Sequence, residues 1–298
     1  MTRPLPAAPL ALPVLALMFN AFVWGVSWWP FRTLQDLGLH PLWSTVLIYL
    51  VAVLGIAAWR PRALREALSV PALWVLVLAS GTTNAAFNWA VSIGDVVRVV
   101  LLFYLMPLWA VVLARLLLGE RLTPLSVARV ALALGGAAIV LRPEGQGLPL
   151  PQGLADWLGL LGGFAFALNN VMLRREGHRP QEQRALAMFV GGALVAGLVA
   201  SLLVGAGRAS WPPLPQAAWL LPALLLAVAF LLSNLALQYG AARLPANVTA
   251  VVMLVEVVFA SVSAVLLGSA VLGGATLLGG ALILAAAALS WLEPQSGH

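Results

Sequence analysis

Ten long apolar runs, joined by short polar connections, constrain this chain more than any other feature. They fall at about 10–29, 42–59, 71–92, 96–118, 124–141, 153–173, 185–205, 219–240, 246–267 and 273–291. At about 1.5 Å of rise per residue, a helix of this length matches a hydrocarbon core about 30 Å thick. In lipid the backbone must satisfy its polar groups internally, which a helix does within one segment. The 298 residues are 62% hydrophobic and 9% charged, with a mean hydropathy of +0.99. A soluble domain carries several times more charge relative to its apolar content. We therefore expect an all-α integral membrane protein with ten transmembrane helices. The connections are too short to fold into a catalytic domain. Span 1 is expected to stay in the mature chain, because its apolar stretch is too long for a signal peptide.

Thr123-Pro124 supplies a cap and a first-turn proline for span 5, and Asp95 and Asn247 can cap spans 4 and 9. Arg60-Pro61, Arg142-Pro143 and Glu293-Pro294 stop spans 2, 5 and 10. Arginine placement sets the orientation. With the N-terminus inside, 11 arginines fall on the inner side: Arg3, Arg60, Arg62, Arg65, Arg115, Arg121, Arg174, Arg175, Arg179, Arg184 and Arg243. Only 4 fall outside: Arg32, Arg98, Arg142 and Arg208, with Arg129 left within span 5. This bias puts both termini in the cytoplasm.

Composition excludes much chemistry. There is no cysteine, so thiol catalysis, disulfides and iron–sulfur clusters are out. All 16 basic residues are arginine, which removes a P-loop lysine and Schiff-base chemistry. His40, His178 and His298 lie in loops or the tail, and Asp36, Asp95 and Asp156 lie outside the span cores. No His-Glu-x-x-His zinc motif is present. We expect no enzyme, no metal, no cofactor and no nucleic-acid partner.

Shifted by 150 residues, Asn84-Ala85-Ala86-Phe87-Asn88-Trp89 lies over Asn234-Leu235-Ala236-Leu237-Gln238-Tyr239. Further on, Ala110 and Ala114 lie over Ala260 and Ala264. A repeat of five crossings is odd, so the second copy is upside down in the membrane. Inverted repeats of this kind form transporters with a site near the bilayer midplane. The expected halves are residues 1–146 (spans 1–5) and 147–298 (spans 6–10), around a central cavity. The Pro/Gly-rich stretch 143–153 joins them.

Span 1 reads Phe22-Val23-Trp24-Gly25-Val26-Ser27, and the first half closes on Leu105-Met106-Pro107-Leu108-Trp109-Ala110 and then Leu117-Leu118-Gly119-Glu120-Arg121-Leu122-Thr123. Over the whole chain this resembles the EamA-type members of the drug/metabolite transporter superfamily. Within that family it is most similar to the YddG-type exporters of aromatic amino acids. The second half departs from the pattern: Ser269-Ala270 stands where Gly-Glu is common, and Glu256-Val257 where Glu-Pro is frequent. The resemblance implies two five-helix EamA repeats in a bacterial inner membrane and export of small organic solutes.

Intramembrane polar residues are the short list for a site, because an unpaired amide in hydrocarbon costs on the order of 1–3 kcal/mol. Span 3 carries Ser80, Asn84 and Asn88 as one stripe, with Thr83 beside it. Span 8 carries Asn234 and Gln238 at the matching positions, flanked by Ser233 and Tyr239. Two such amide faces suit a zwitterion; the alternative is helix–helix hydrogen bonding. Span 1 adds Asn20, Trp24, Ser27 and Trp28, while Trp29 suits an interfacial belt. Span 6 adds Asn169 and Asn170, span 4 Tyr104 and Met106, and span 9 Thr249 and Met253. Pro107 frees a carbonyl one turn earlier in span 4. Glu256 is the only carboxylate deep in a span. It is either a proton-coupling or substrate-ammonium site, or a structural acid bonded to span 8 or span 10. Arg115 is expected to snorkel and Glu120 to pair with an arginine at the inner surface.

The residues suggest an uncharged, amide-rich, aromatic-lined cavity for small zwitterions such as aromatic and other neutral amino acids, worked by alternating access. Lipid is the surrounding partner, and protons are the candidate coupling ion. A passive facilitator or channel, or a drug or cation efflux carrier, remains an alternative. The glycine-rich stretch 268–280 permits close packing within or between chains.

Overall fold

Uninterrupted apolar sequence closes its backbone hydrogen bonds locally, and the computed structural model accordingly builds helices on almost every run. It describes residues 11–59, 61–117, 119, 123–142, 150–241, 243–244 and 246–289. Arg3, Arg60, Glu120, Arg121, residues 143–149, Glu293-Pro294 and His298 lie outside the described residues, as do the side chains of Gln238, Asn247 and Thr249. Among the described residues there are 13 helices and no strand: α1 (Ala11–Val26), α2 (Trp28–Asp36), α3 (Pro41–Trp59), α4 (Pro61–Ser69), α5 (Pro71–Ile93), α6 (Val96–Phe103), α7 (Met106–Leu117), α8 (Pro124–Leu141), α9 (Leu154–Arg175), α10 (Gln181–Gly205), α11 (Ala217–Ala241), α12 (Ala246–Leu266) and α13 (Gly274–Ala288).

Seven segments are long and apolar enough to cross a bilayer: Ala11–Asp36, Pro41–Ala58, Val96–Leu117, Pro124–Leu141, Leu154–Arg175, Glu182–Gly205 and Ala217–Leu237. Gly274–Ala288 is apolar but shorter, and Val252–Leu266 is the part of the 21-residue α12 whose side chains are described. These segments show a multi-span helical membrane protein among the described residues; the finer expectation of ten spans goes beyond them. Of the two helices left, α4 is short at 9 residues, whereas α5 has the length at 23 residues. Its Ser80, Thr82, Thr83, Asn84, Asn88 and Ser92 dilute its hydropathy, and it is enclosed by neighbours on most of its length. Its polarity is spent inward rather than on lipid.

Local chemistry sets the ends and breaks. The Thr123 hydroxyl accepts from the Ser126 N–H and the Ser126 hydroxyl from the Thr123 N–H, a reciprocal cap ahead of Pro124. Asp95 caps α6 by accepting from the Arg98 N–H at 2.8 Å. Span 4 breaks between α6 and α7 at Tyr104-Leu105, one turn before Pro107, which has no N–H to offer the Phe103 carbonyl. Into that weakened turn Gly163 of α9 presses so closely that a Cβ there would stand 2.4 Å from the Phe103 oxygen. The α1–α2 run breaks at Ser27, whose hydroxyl donates to the Trp24 carbonyl at 2.8 Å.

The principal packings cross between the first five spans and the last five. α1 lies against α11 and α12, α9 against α5 and against α6–α7, α3 against α10 and α11, α10 against α5, and α8 against α13. Exchanging the halves (α1–α2 with α9, α3 with α10, α5 with α11, α6–α7 with α12, α8 with α13) turns each of these packings into another of them, except α3–α10 and α8–α13, which map onto themselves. At the α8–α13 crossing a Cβ on Gly136 would meet the Gly279 carbonyl oxygen at 2.6 Å, and one on Gly279 the Gly136 oxygen at 2.7 Å. Leucines such as Leu54, Leu198, Leu225 and Leu278 point outward instead of into a core, as a surface solvated by lipid requires.

Candidate solute cavity

Where these crossings meet, α1, α3 and α5 to α13 enclose a cavity of about 490 Å³. Its size falls within the range of sites that hold small organic ligands. The walls are amide and aromatic. From α1 come Asn20 and Trp24; from α5, Ser80, Thr83 and Asn84; from α9, Asn169 and Asn170; from α11, Asn234; from α12, Met253 and Glu256. Tyr104 and Met106 reach in from the break between α6 and α7. The helix interruption thus gives the cavity two of its side chains.

Hydrogen bonds hold most of these groups in place. Asn84 donates to the Ser80 carbonyl at 2.8 Å and accepts from the Tyr49 hydroxyl at 2.5 Å. The carbonyl can only accept, which fixes the orientation of that amide. Asn20 donates to the carbonyl and hydroxyl oxygens of Ser233 at 3.0 and 2.6 Å, tying α1 to α11. Asn234 donates to the Phe230 carbonyl at 3.0 Å. Tyr104 donates to Glu256 at 3.2 Å. The buried carbonyl oxygens of Asn20 and Asn169 have no hydrogen-bond partner, an exposed liability in a membrane interior.

Aromatic rings interlock behind the amides. Trp24 meets Phe230 with centroids 4.6 Å apart and Phe87 at 6.2 Å, and Phe103 meets Phe87 at 4.8 Å and Phe166 at 5.4 Å. Edge and tilted contacts of this kind leave ring faces available to an apolar solute.

Three sequence-predicted residues stand off the cavity wall. Ser27 is buried and spends its hydroxyl on its own helix. Asn88 is fully buried and donates to Thr45 at 3.0 Å, fastening α5 to α3. Tyr239 lies near the end of α11 under the Arg243 guanidinium, 3.8 Å from its ring centroid. Trp29 is exposed as a belt residue would be, whereas Trp28 is buried and donates to Ser263 at 2.9 Å.

The sequence reading missed Tyr49, Arg129, Met188 and the phenylalanine wall. Tyr49 is the lone phenol in the long apolar stretch of α3, which was its one signal. Phenylalanines in an apolar helix carry none. The expectation of an uncharged cavity is corrected: Arg129 and Glu256 both line it, at 5% and 9% exposure. At the far end of α6, Arg98 grips Asp156 of α9 through two hydrogen bonds of 2.8 Å and donates to the Val140 carbonyl at 2.7 Å. Asp156 also accepts from the Gln152 N–H at 2.9 Å. This ion pair ties the two halves together beyond the cavity.

A lipid-faced helical bundle whose halves interlock around a largely apolar, ligand-sized cavity studded with amides is the architecture a membrane transporter needs. The family of EamA-like transporters matches residues 11–142 and again 153–292, and the chain belongs to it. That family consists of transporters rather than enzymes and implies small solutes and a multi-pass membrane setting. A solved crystal structure is 22% identical, with a TM-score of 0.57 over 95% of this chain and 97% of its own, and so shares the fold. No curated protein sequence matches.

Proposed function

We propose that the chain exports small zwitterionic organic solutes, above all aromatic and other neutral amino acids, by alternating access. The observation that carries this reading is the cavity itself, built from both halves and walled by amides and aromatic rings. Amides offer donors and acceptors without a fixed charge, and the rings take an apolar side chain. The resemblance to YddG-type exporters supports the same substrate class. The halves are residues 1–146 and 147–298, inverted with respect to each other. The arginine bias supports cytoplasmic termini, in a bacterial inner membrane. Asn20, Trp24, Ser80, Thr83, Asn84, Tyr104, Asn169, Asn170, Asn234 and Met253 contact the solute. Glu256, with Tyr104 on its carboxylate, is the coupling group.

Counterflow in proteoliposomes tests this. Labelled phenylalanine is expected to enter faster when the vesicles are preloaded with unlabelled phenylalanine, with saturation. Entry that is indifferent to the preload would make the protein a pore. Absence of entry across a panel of neutral amino acids would remove the substrate class.

A further inference from the structure

Among the described lining residues only two side chains carry charge, Glu256 on α12 and Arg129 on α8, and the function proposed above makes no use of the second. Arg129 stands within the apolar segment Pro124–Leu141 and is 5% exposed. At the centre of a spanning helix a cation costs about 2.5–3.5 kcal/mol even on the lenient insertion scale; Arg129 lies in the second turn of α8, nearer its end, and ionisable residues within spans mark substrate paths. Here it adds a cation to a cavity that also holds an acid, two phenols and several amides.

We propose that Arg129 is the carboxylate subsite of the cavity, binding the α-carboxylate of an amino acid whose ammonium is taken by Glu256 and Tyr104. This rests on the reading that the cavity is the solute site. A guanidinium presents five N–H donors in a planar fork that pairs with a carboxylate through two parallel bonds. It can serve a protein partner and a ligand together. The two fixed charges oppose the two charges of a zwitterion, offsetting the loss of water when the solute enters. Specificity follows from the mismatch that other solutes create: a plain amine brings no carboxylate to the guanidinium fork, and a plain acid sets its carboxylate near that of Glu256.

Three solutes with one side chain separate these contributions: phenylalanine, phenethylamine, which lacks the carboxylate, and 3-phenylpropionate, which lacks the ammonium. Counterflow by the full-length carrier in proteoliposomes is expected to favour phenylalanine over either analogue. In Arg129→Gln the ratio of phenylalanine to phenethylamine rates falls at least tenfold, and in Arg129→Lys it falls less. Each ratio is internal to one preparation, so it does not depend on how much folded protein is present. A ratio unchanged within twofold in Arg129→Gln, with phenylalanine still carried, overturns the subsite and leaves the proposed function standing. A wild-type protein that carries no amino acid overturns both.

Discussion

The two asparagines of the α5 stripe look equivalent in sequence and have different work. Asn84 faces the cavity and is braced by Tyr49 and Ser80, whereas Asn88 is sealed against Thr45. Asn84→Ala is therefore expected to lower counterflow more than tenfold with the protein still monodisperse in detergent. Asn88→Ala is expected to keep counterflow and to lose about 1 kcal/mol of stability, read as a lower Tm, because it deletes a buried interhelical bond. Equal effects on transport would mean the cavity wall is drawn in the wrong place. Glu256→Gln keeps the shape and removes the charge; flattening of the pH dependence of transport is the expected outcome, and an unaltered profile would end its coupling role. Much of this was legible at the start, because a polar atom in lipid needs a reason to be there. Arg129 was visible too but was only set aside from the arginine count as lying within a span. What could not be read was which side of a helix each amide presents, since stripes at i and i+4 turn by tens of degrees along a helix.

Helix limits follow from sequence wherever a proline, a cap or a charge stands at the boundary. The Thr123-Pro124 start of α8 lies where the cap chemistry puts it, and the break before Pro107 appears one turn upstream of the ring. α4 was not anticipated, because nine residues with two arginines make no apolar run. α5 was read as an ordinary span, because its apolar residues hide how strongly its amides lower hydropathy. Helix contacts leave no such mark, since two adjacent glycines read alike. Gly136 has the Gly279 backbone against it, while nothing lies within 4 Å of a Cβ built on Gly135. Gly136→Ala is expected to force α8 and α13 apart and to cost about 1–3 kcal/mol. Gly135→Ala is expected to leave Tm unchanged or raise it, because alanine is the better helix former. Thermal unfolding of the two variants side by side decides the matter.

At the scale of the molecule, the Arg98–Asp156 ion pair joins α6 to α9 beyond the cavity, and the alternating access proposed above would separate the two. Asp156→Asn weakens that tie and is expected to expose the cavity at that end. The chain has no cysteine of its own, so one introduced at Phe103 reports cleanly. Its reaction with a membrane-impermeant maleimide from the outer face should quicken severalfold in the Asp156→Asn background. Unchanged labelling, with the reporter reactive from the inner face, would show that the ion pair does not hold the closed end. The exchange of halves was legible only as a faint self-similarity at 150 residues, yet it organises every principal packing. At the α8–α13 crossing each glycine covers the other's carbonyl, so the contact is isologous in the sense used for paired subunits. A single polypeptide thus contains what amounts to a two-fold dimer seam. A methyl group added on one side is therefore felt by both copies, because each helix presents to the other the same patch that it receives.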